Sequence, residues 1–177
     1  MVTAPVPSGQ ADSVAYDVAA GTPDPELPML TVADLGILRA VDVTADGVLV
    51  TITPTYSGCP AMREISADVR QRLLRAGFPR VTVATQLAPP WTSDWITLDG
   101  RRKLAAAGIA PPSPAPRRSG PVPLTLTFSP HSGPAAPGCP HCGSPRTRRT
   151  AEFSATACKS LYRCDECGEP FEAVKPL

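Results

Sequence analysis

The sequence is poor in aromatic residues and in histidine, and it carries no excess of either charge. Phe, Trp and Tyr make up 5% of the 177 residues, and only two histidines are present. A core with few rings must rest on Val, Ile, Leu and Ala, and the 42% hydrophobic fraction supplies them. The scarcity of histidine removes the usual general base of a nucleophilic enzyme, because His131 falls in a Pro-rich stretch and His141 between two cysteines. Lys and Arg total 17 against 16 for Asp and Glu, which leaves no basic footprint for nucleic acid or an anionic membrane surface. No apolar run reaches the ~18 residues of a transmembrane helix. The N-terminal MVTAPVPSGQ has neither a basic n-region nor an apolar h-region, so no signal peptide is expected. Without an export signal, the six cysteines read as metal and thiol chemistry in a reducing cytoplasm, not as disulfides.

Four of those cysteines form two Cys-x-x-Cys pairs, Cys139–Cys142 and Cys164–Cys167. Each pair is a knuckle that aims two thiolates at one ion, and two knuckles complete the tetrahedral Cys₄ set that zinc prefers. Twenty-one residues separate Cys142 from Cys164, one beyond the usual ~15–20 of this pattern. The expectation is a structural zinc ribbon, closed by four protein ligands and without an open position for substrate. Cys158 is a fifth thiol in this region, read as a strand or turn residue packed against the ribbon. His141 reads as a solvent-facing knuckle residue. Arg146, Arg148, Arg149 and Arg163 read as a solvated hairpin face.

Upstream, residues 1–10 read as a disordered tail and Ala11–Ala20 as a short helix. A turn of helix near Val32–Leu35 has Thr31 as its candidate cap. Ile37–Val43 and Val48–Thr53 flank Ala45-Asp46-Gly47 and predict a β-hairpin. Met62, Ile65, Val69 and Leu73 recur at helical spacing and predict a helix over Ala61–Ala76. Val81–Leu87 follows as a third strand, and a short helix runs from Gly100 to Ala107. Residues 11–109 thus form one α+β domain, a small three-stranded sheet backed by helices. Nine prolines in the 28 residues of 110–137 make a linker, within which Leu124–Phe128 is a candidate edge strand. Residues 138–177 form the β-rich ribbon, with Arg146–Phe153 and Lys159–Arg163 as its hairpin.

Cys59 lies in the loop Pro54–Pro60, between a strand end and a helix start. Free amides and the helix dipole at that position favour a thiolate and lower the thiol pKa. Gly58 leaves room for a ligand, and Thr55, Tyr56 and Ser57 add hydroxyls. The plainer reading is a small cysteine packed under the helix. Asp24-Pro25-Glu26 is a second, acidic, cluster of interest. Locally, Asp24 is best read as the cap of a turn whose first position is Pro25. The functional alternative brings Asp24 or Glu26 to Cys59 as a mixed thiolate–carboxylate site able to hold iron or zinc transiently. Trp91 and Trp95 flank Asp94, either as a docking surface or as a cover for the sheet.

DPE at Asp24–Glu26, DLGIL at Asp34–Leu38 and TYSGCP at Thr55–Pro60, with a hairpin between the last two, resemble the MIP18 family, which is linked to iron–sulfur cluster assembly. PTYSGCPAM, APPWTSDWI at Ala88–Ile96, GRRKLAAAGIAPP at Gly100–Pro112 and SATACKSLYRCDECGEPFEAVK at Ser154–Lys175 resemble the family of D subunits of phenylacetyl-CoA epoxidase systems. The resemblance covers about Gly21 to the C-terminus. It implies an accessory, non-catalytic component that helps assemble or repair a metal centre of its partners, the diiron oxygenase subunit and the flavin- and [2Fe–2S]-carrying reductase. It implies that Cys59 is the functional thiol, with Asp24, Glu26, Thr55 and Ser57 around it, and that iron or an iron–sulfur cluster is held there transiently if at all. A homodimer is compatible with the resemblance, which does not require it.

Three other functions compete. A purely structural subunit would use the ribbon and the Trp91–Trp95 region as contact surfaces. An enzyme with Cys59 as nucleophile lacks a base, and a nucleic-acid-binding ribbon is disfavoured by the charge balance.

Overall fold

A computed structural model describes residues 10–56, 58–114 and 136–177. The chain divides between Ala107 and Gly108 into two compact units. Residues 1–9 of the expected tail, Ser57, Leu124–Phe128, His131 and most of the Pro-rich stretch lie outside the described residues.

The first unit begins with helix α1 (Gln10–Ala20), so the last residue of the expected tail is already helical. Strands β1 (Leu38–Thr44) and β2 (Gly47–Ile52) form the antiparallel hairpin, closed at the pair Thr44–Gly47. Helix α2 (Ala61–Arg75) follows and carries the chain back to β3 (Val81–Thr85), which lies parallel to β2. The order β1-β2-β3 therefore contains one β-α-β crossover, β2-α2-β3. Helix α2 buries Ala61, Ile65, Val69 and Leu73, a single stripe at spacing four. Val48, Val50 and Ile52 alternate as the buried residues of β2. Each fully buried Ile, Leu or Val in this core contributes about 1.5–3 kcal/mol of transfer free energy.

Between α1 and β1 the chain folds as a tight, reciprocally bonded turn. The Asp34 amide donates to the Thr31 hydroxyl (3.1 Å), and Asp34 Oδ2 accepts from the Thr31 amide (2.9 Å). This is a capping box in miniature, and it makes Thr31 the cap that the sequence suggests. Asp34 Oδ2 also accepts from Lys103 Nζ (2.8 Å) on helix α3 (Leu98–Ala106), and the Asp34 carbonyl accepts from the Thr97 amide (2.9 Å). The DLG turn thereby fixes α3. Trp91 is buried and donates its indole N–H to the Leu35 carbonyl (2.9 Å). Arg39 lies over the half-buried Trp95 ring at 3.8 Å. Trp91 is therefore a cover of the core and not a docking surface.

The second unit is all β among its described residues. Its sheet runs β4 (Ile109–Ala110), β7 (Pro170–Val174), β6 (Lys159–Cys164), β5 (Thr147–Ala151). Strands β5, β6 and β7 are antiparallel neighbours, and β4 pairs parallel to β7. Two features of this sheet depart from the sequence reading. The sequence places Ile109 at the end of the first domain and Ala110 at the start of a linker, but the two residues form a strand of the ribbon sheet. Strand β7 has no counterpart in the sequence reading, because it opens on proline and has little apolar alternation.

Candidate functional site

The two cysteine knuckles are built alike. The first precedes β5; the second starts on the last residue of β6 and turns into β7. In each, the glycine after the second cysteine donates its amide to the carbonyl of the first: Gly143 to Cys139 (2.9 Å) and Gly168 to Cys164 (3.1 Å). Each first cysteine donates its own amide to a carbonyl just beyond the turn, Cys139 to Ser144 (2.9 Å) and Cys164 to Glu169 (3.0 Å). Cys139 and Cys164 are buried, while Cys142 and Cys167 face solvent.

All four sulfurs lie within 4.8 Å of one another, with 3.8 Å between Cys139 and Cys167 and 3.6 Å between Cys142 and Cys164. A tetrahedron with metal–sulfur bonds of about 2.3 Å has edges of about 3.8 Å, so the donor set fits a tetrahedral thiolate-bound ion. The Glu169 amide favours the Cys167 thiolate, but desolvation and the sulfurs of Cys142, Cys164 and Cys139 outweigh it and push the thiol up to about 12. A dication among the sulfurs reverses that balance and ionises them. The Glu166 amide already points at Cys164 Sγ (3.4 Å).

Cys158 stands outside this group. Its sulfur meets the Thr156 hydroxyl at 3.1 Å, and its carbonyl accepts from the Lys175 amide (2.9 Å). The ribbon arginines are engaged too: Arg146 with Glu166, Arg148 with Asp165 (3.1 Å), Arg149 with Glu152 (2.6 Å), and Arg163 Nε with the Gly168 carbonyl (3.0 Å). They form no unopposed basic face.

The second constellation lies at the C-terminal end of β2, the end of a parallel β-α-β unit where loops and a helix N-terminus converge. Cys59 is half-buried there. Its amide donates to the Tyr56 carbonyl (3.2 Å), and its carbonyl accepts from Met62 (3.4 Å). Helix α2 starts at Ala61, with Pro60 at the capping position. Beside it, Gly58 holds φ +89°, and a Cβ there would meet nothing within 4 Å.

The charge state of Cys59 corrects the sequence reading. Desolvation by burial, aided by the carboxylates of Glu26 and Asp24, pushes the thiol pKa up, although the Ala61 amide and the Thr55 hydroxyl favour the thiolate. The helix N-terminus does act on the sulfur, but it is outweighed. Asp24 plays its local part: its buried carboxylate accepts through Oδ1 from the amides of Glu26 and Leu27, both at 2.8 Å. The structure thus gathers Cys59, Thr55, Asp24 and Glu26 in one neighbourhood. It does not close them into a ligand set: among the described residues, only the four ribbon cysteines form a group of three or more Cys, His, Asp or Glu donors at metal-binding distances. Thr22 and Thr53 are additions from the structure. Their buried hydroxyls have no partner, and they stand two residues before Asp24 and Thr55. A threonine beside or within a strand looks ordinary in sequence, so nothing there points to them.

Fold and site together define an α+β domain with a thiol at its strand–helix junction, followed by a β ribbon built on four cysteines. Residues 20–84 match the family model described as "Iron-sulfur cluster assembly protein", and residues 127–175 match the "PaaD zinc beta ribbon domain". The chain is 43% identical over 154 residues to the D subunit of a putative 1,2-phenylacetyl-CoA epoxidase of Escherichia coli (strain K12), covering 86% of each. The chain belongs to this family of D subunits, whose first domain is of the MIP18 type. It is also 39% identical over 83 residues to an "Fe-S protein maturation auxiliary factor" of Porphyromonas gingivalis, covering 46% of this chain and 78% of that one. A crystal structure of a DUF59 domain from Bacillus anthracis aligns with a TM-score of 0.49 at 25% identity, over 52% of this chain and 90% of that one. Among the described residues, no helix is long and apolar enough to cross a membrane.

Proposed function

We propose that this protein is a non-catalytic accessory component of a phenylacetyl-CoA epoxidase system in aerobic phenylacetate degradation. It assists assembly or repair of an iron or iron–sulfur centre in the oxygenase or reductase partner, and it acts through Cys59 in the cytoplasm. The observation that carries this reading is the Cys59 junction: an accessible thiol in an iron–sulfur-assembly type of domain, faced by two carboxylates. A thiol whose proton is held by burial and by neighbouring negative charge is a poor nucleophile but a suitable acceptor for a cation, since the cation replaces the proton and the carboxylates then favour it. The epoxidase relative and the maturation-factor relative support the same role. The ribbon is read as a structural zinc site: four thiolates at tetrahedral spacing, with no fifth donor among the described residues, favour zinc held for folding and docking.

The test replaces Cys59 by Ala in the full chain, co-expressed with the oxygenase and reductase. The expected result is a folded variant whose partners contain less iron or [2Fe–2S] and show lower activity. Full cofactor content and normal activity would sink the maturation role and leave a structural component that docks in the oxygenase complex.

A further inference from the structure

The ribbon unit has a very small core, and metal ligands make up much of it. Its hydrophobic cluster is Ala110, Cys139, Cys164, Phe171 and Ala173, with Tyr162 stacked on Phe171 at 5.8 Å between ring centroids. Two of those five are sulfur donors of the knuckles. Beyond the one ring and two methyl groups that remain in the cluster, the described residues of this unit bury only Ile109 and Val174 as apolar side chains, little surface to offset the ordering of the chain. In a unit of this kind the free energy of metal binding is folding free energy.

Ala110 belongs to that cluster, and it lies on β4. The strand is held by two residue pairs, Ile109–Glu172 and Ala110–Ala173. A two-residue strand has no stability of its own. The residue before it meets the first knuckle: Gly108 holds φ +75°, and a Cβ there would stand 3.1 Å from Cε1 of His141, between Cys139 and Cys142. The residue before that, Ala107, is the C-cap of α3. Ala107 and Gly108 are thus the two residues between helix α3 and strand β4.

We propose that the metal held by the four cysteines controls the junction between the two units, by keeping β4 in the ribbon sheet. With metal bound, only Ala107 and Gly108 separate α3 from β4. With metal lost, Ile109 and Ala110 leave β7 and the tether lengthens. Coupling of this kind is reciprocal, so disturbing the start of β4 must weaken metal binding. The inference rests on the cysteine cluster being a metal site and is independent of the role of Cys59.

The experiment uses the full chain, with bound metal quantified by elemental analysis. Hydrogen exchange is followed by mass spectrometry before and after metal removal by a chelator. The expected result is lost protection at the amides of residues 108–110, read in peptides that begin upstream in α3, with α2 peptides unchanged. Retained protection at 108–110 after verified metal removal overturns the proposal, and so does a purified protein that holds no metal and takes up none. A second arm keeps the native ligands and replaces Gly108 by Val. Competition against a chromophoric chelator should show metal affinity about tenfold weaker, as for other residues that support ligands without touching the ion. Unchanged affinity would also count against the coupling. Neither arm reads the partners' cofactor content, so failure here and failure of the maturation role are separate results.

Discussion

A thiol at the start of a helix is ordinarily eased toward its thiolate. At Cys59 this help comes from the Ala61 amide and the Thr55 hydroxyl, but burial and the charges of Glu26 and Asp24 outweigh it. The sign gives a direct expectation. Glu26→Gln removes one negative charge near the sulfur, so the thiol pKa falls and the thiolate fraction at fixed pH rises. Alkylation of Cys59 by iodoacetamide, followed by peptide mass spectrometry, should be faster in the variant than in the wild type. Because the thiolate is the reacting form, the rate should rise in proportion to the thiolate fraction, by up to about tenfold. An unchanged or slower rate would remove Glu26 from the neighbourhood of the sulfur. The loop and the helix start are legible in Gly58-Cys59-Pro60. The charge state is not, because the opposing carboxylates come from a loop far upstream that only the fold brings near.

At the scale of elements, the DLG turn is what fixes α3. Asp34 is buried, closes the Thr31 turn and pairs with Lys103. Desolvation opposes its ionisation, but the hydrogen bonds from Lys103 and Thr31 and the Lys103 charge overcome it, so the carboxylate is held below the usual range. Asp34→Asn preserves the shape and removes the charge. It should cost roughly 1–3 kcal/mol near neutral pH, measured by chemical denaturation. A carboxyl with a lowered folded-state pKa contributes stability above its unfolded value of about 3.9, and that stability is lost as pH falls through the folded value. The gap between wild type and variant should therefore close below about pH 4. A gap independent of pH would mean that the Lys103 pair contributes nothing. Elements with a strong local period, such as the β1–β2 hairpin and α2, are visible in the sequence. Strands β4 and β7 are not: one has two residues, the other begins at Pro170, and their pairing joins segments on either side of the Pro-rich stretch.

For the whole molecule, the two units draw stability from different sources. The first buries Leu30, Ile37, Ile52, Ile65, Leu73 and Leu104 in a core without ligands, while the small cluster of the second includes the knuckle residues Cys139 and Cys164. Length, charge and cysteine spacing make that division readable. They do not place its boundary, because Pro-rich composition looks like a linker wherever it falls, and here it follows the first strand of the ribbon sheet. Both tryptophans, Trp91 and Trp95, lie in the first unit, so their fluorescence reports that unit alone. Metal-bound cysteines must be ionised, so a chelator or mild acid should strip the second unit selectively. The expected result is faster hydrogen exchange in peptides of β6 and β7, with the denaturation midpoint followed by tryptophan fluorescence unmoved. If chelation shifts that midpoint as well, the units unfold together, and the metal stabilises the first unit in addition to the ribbon that holds it.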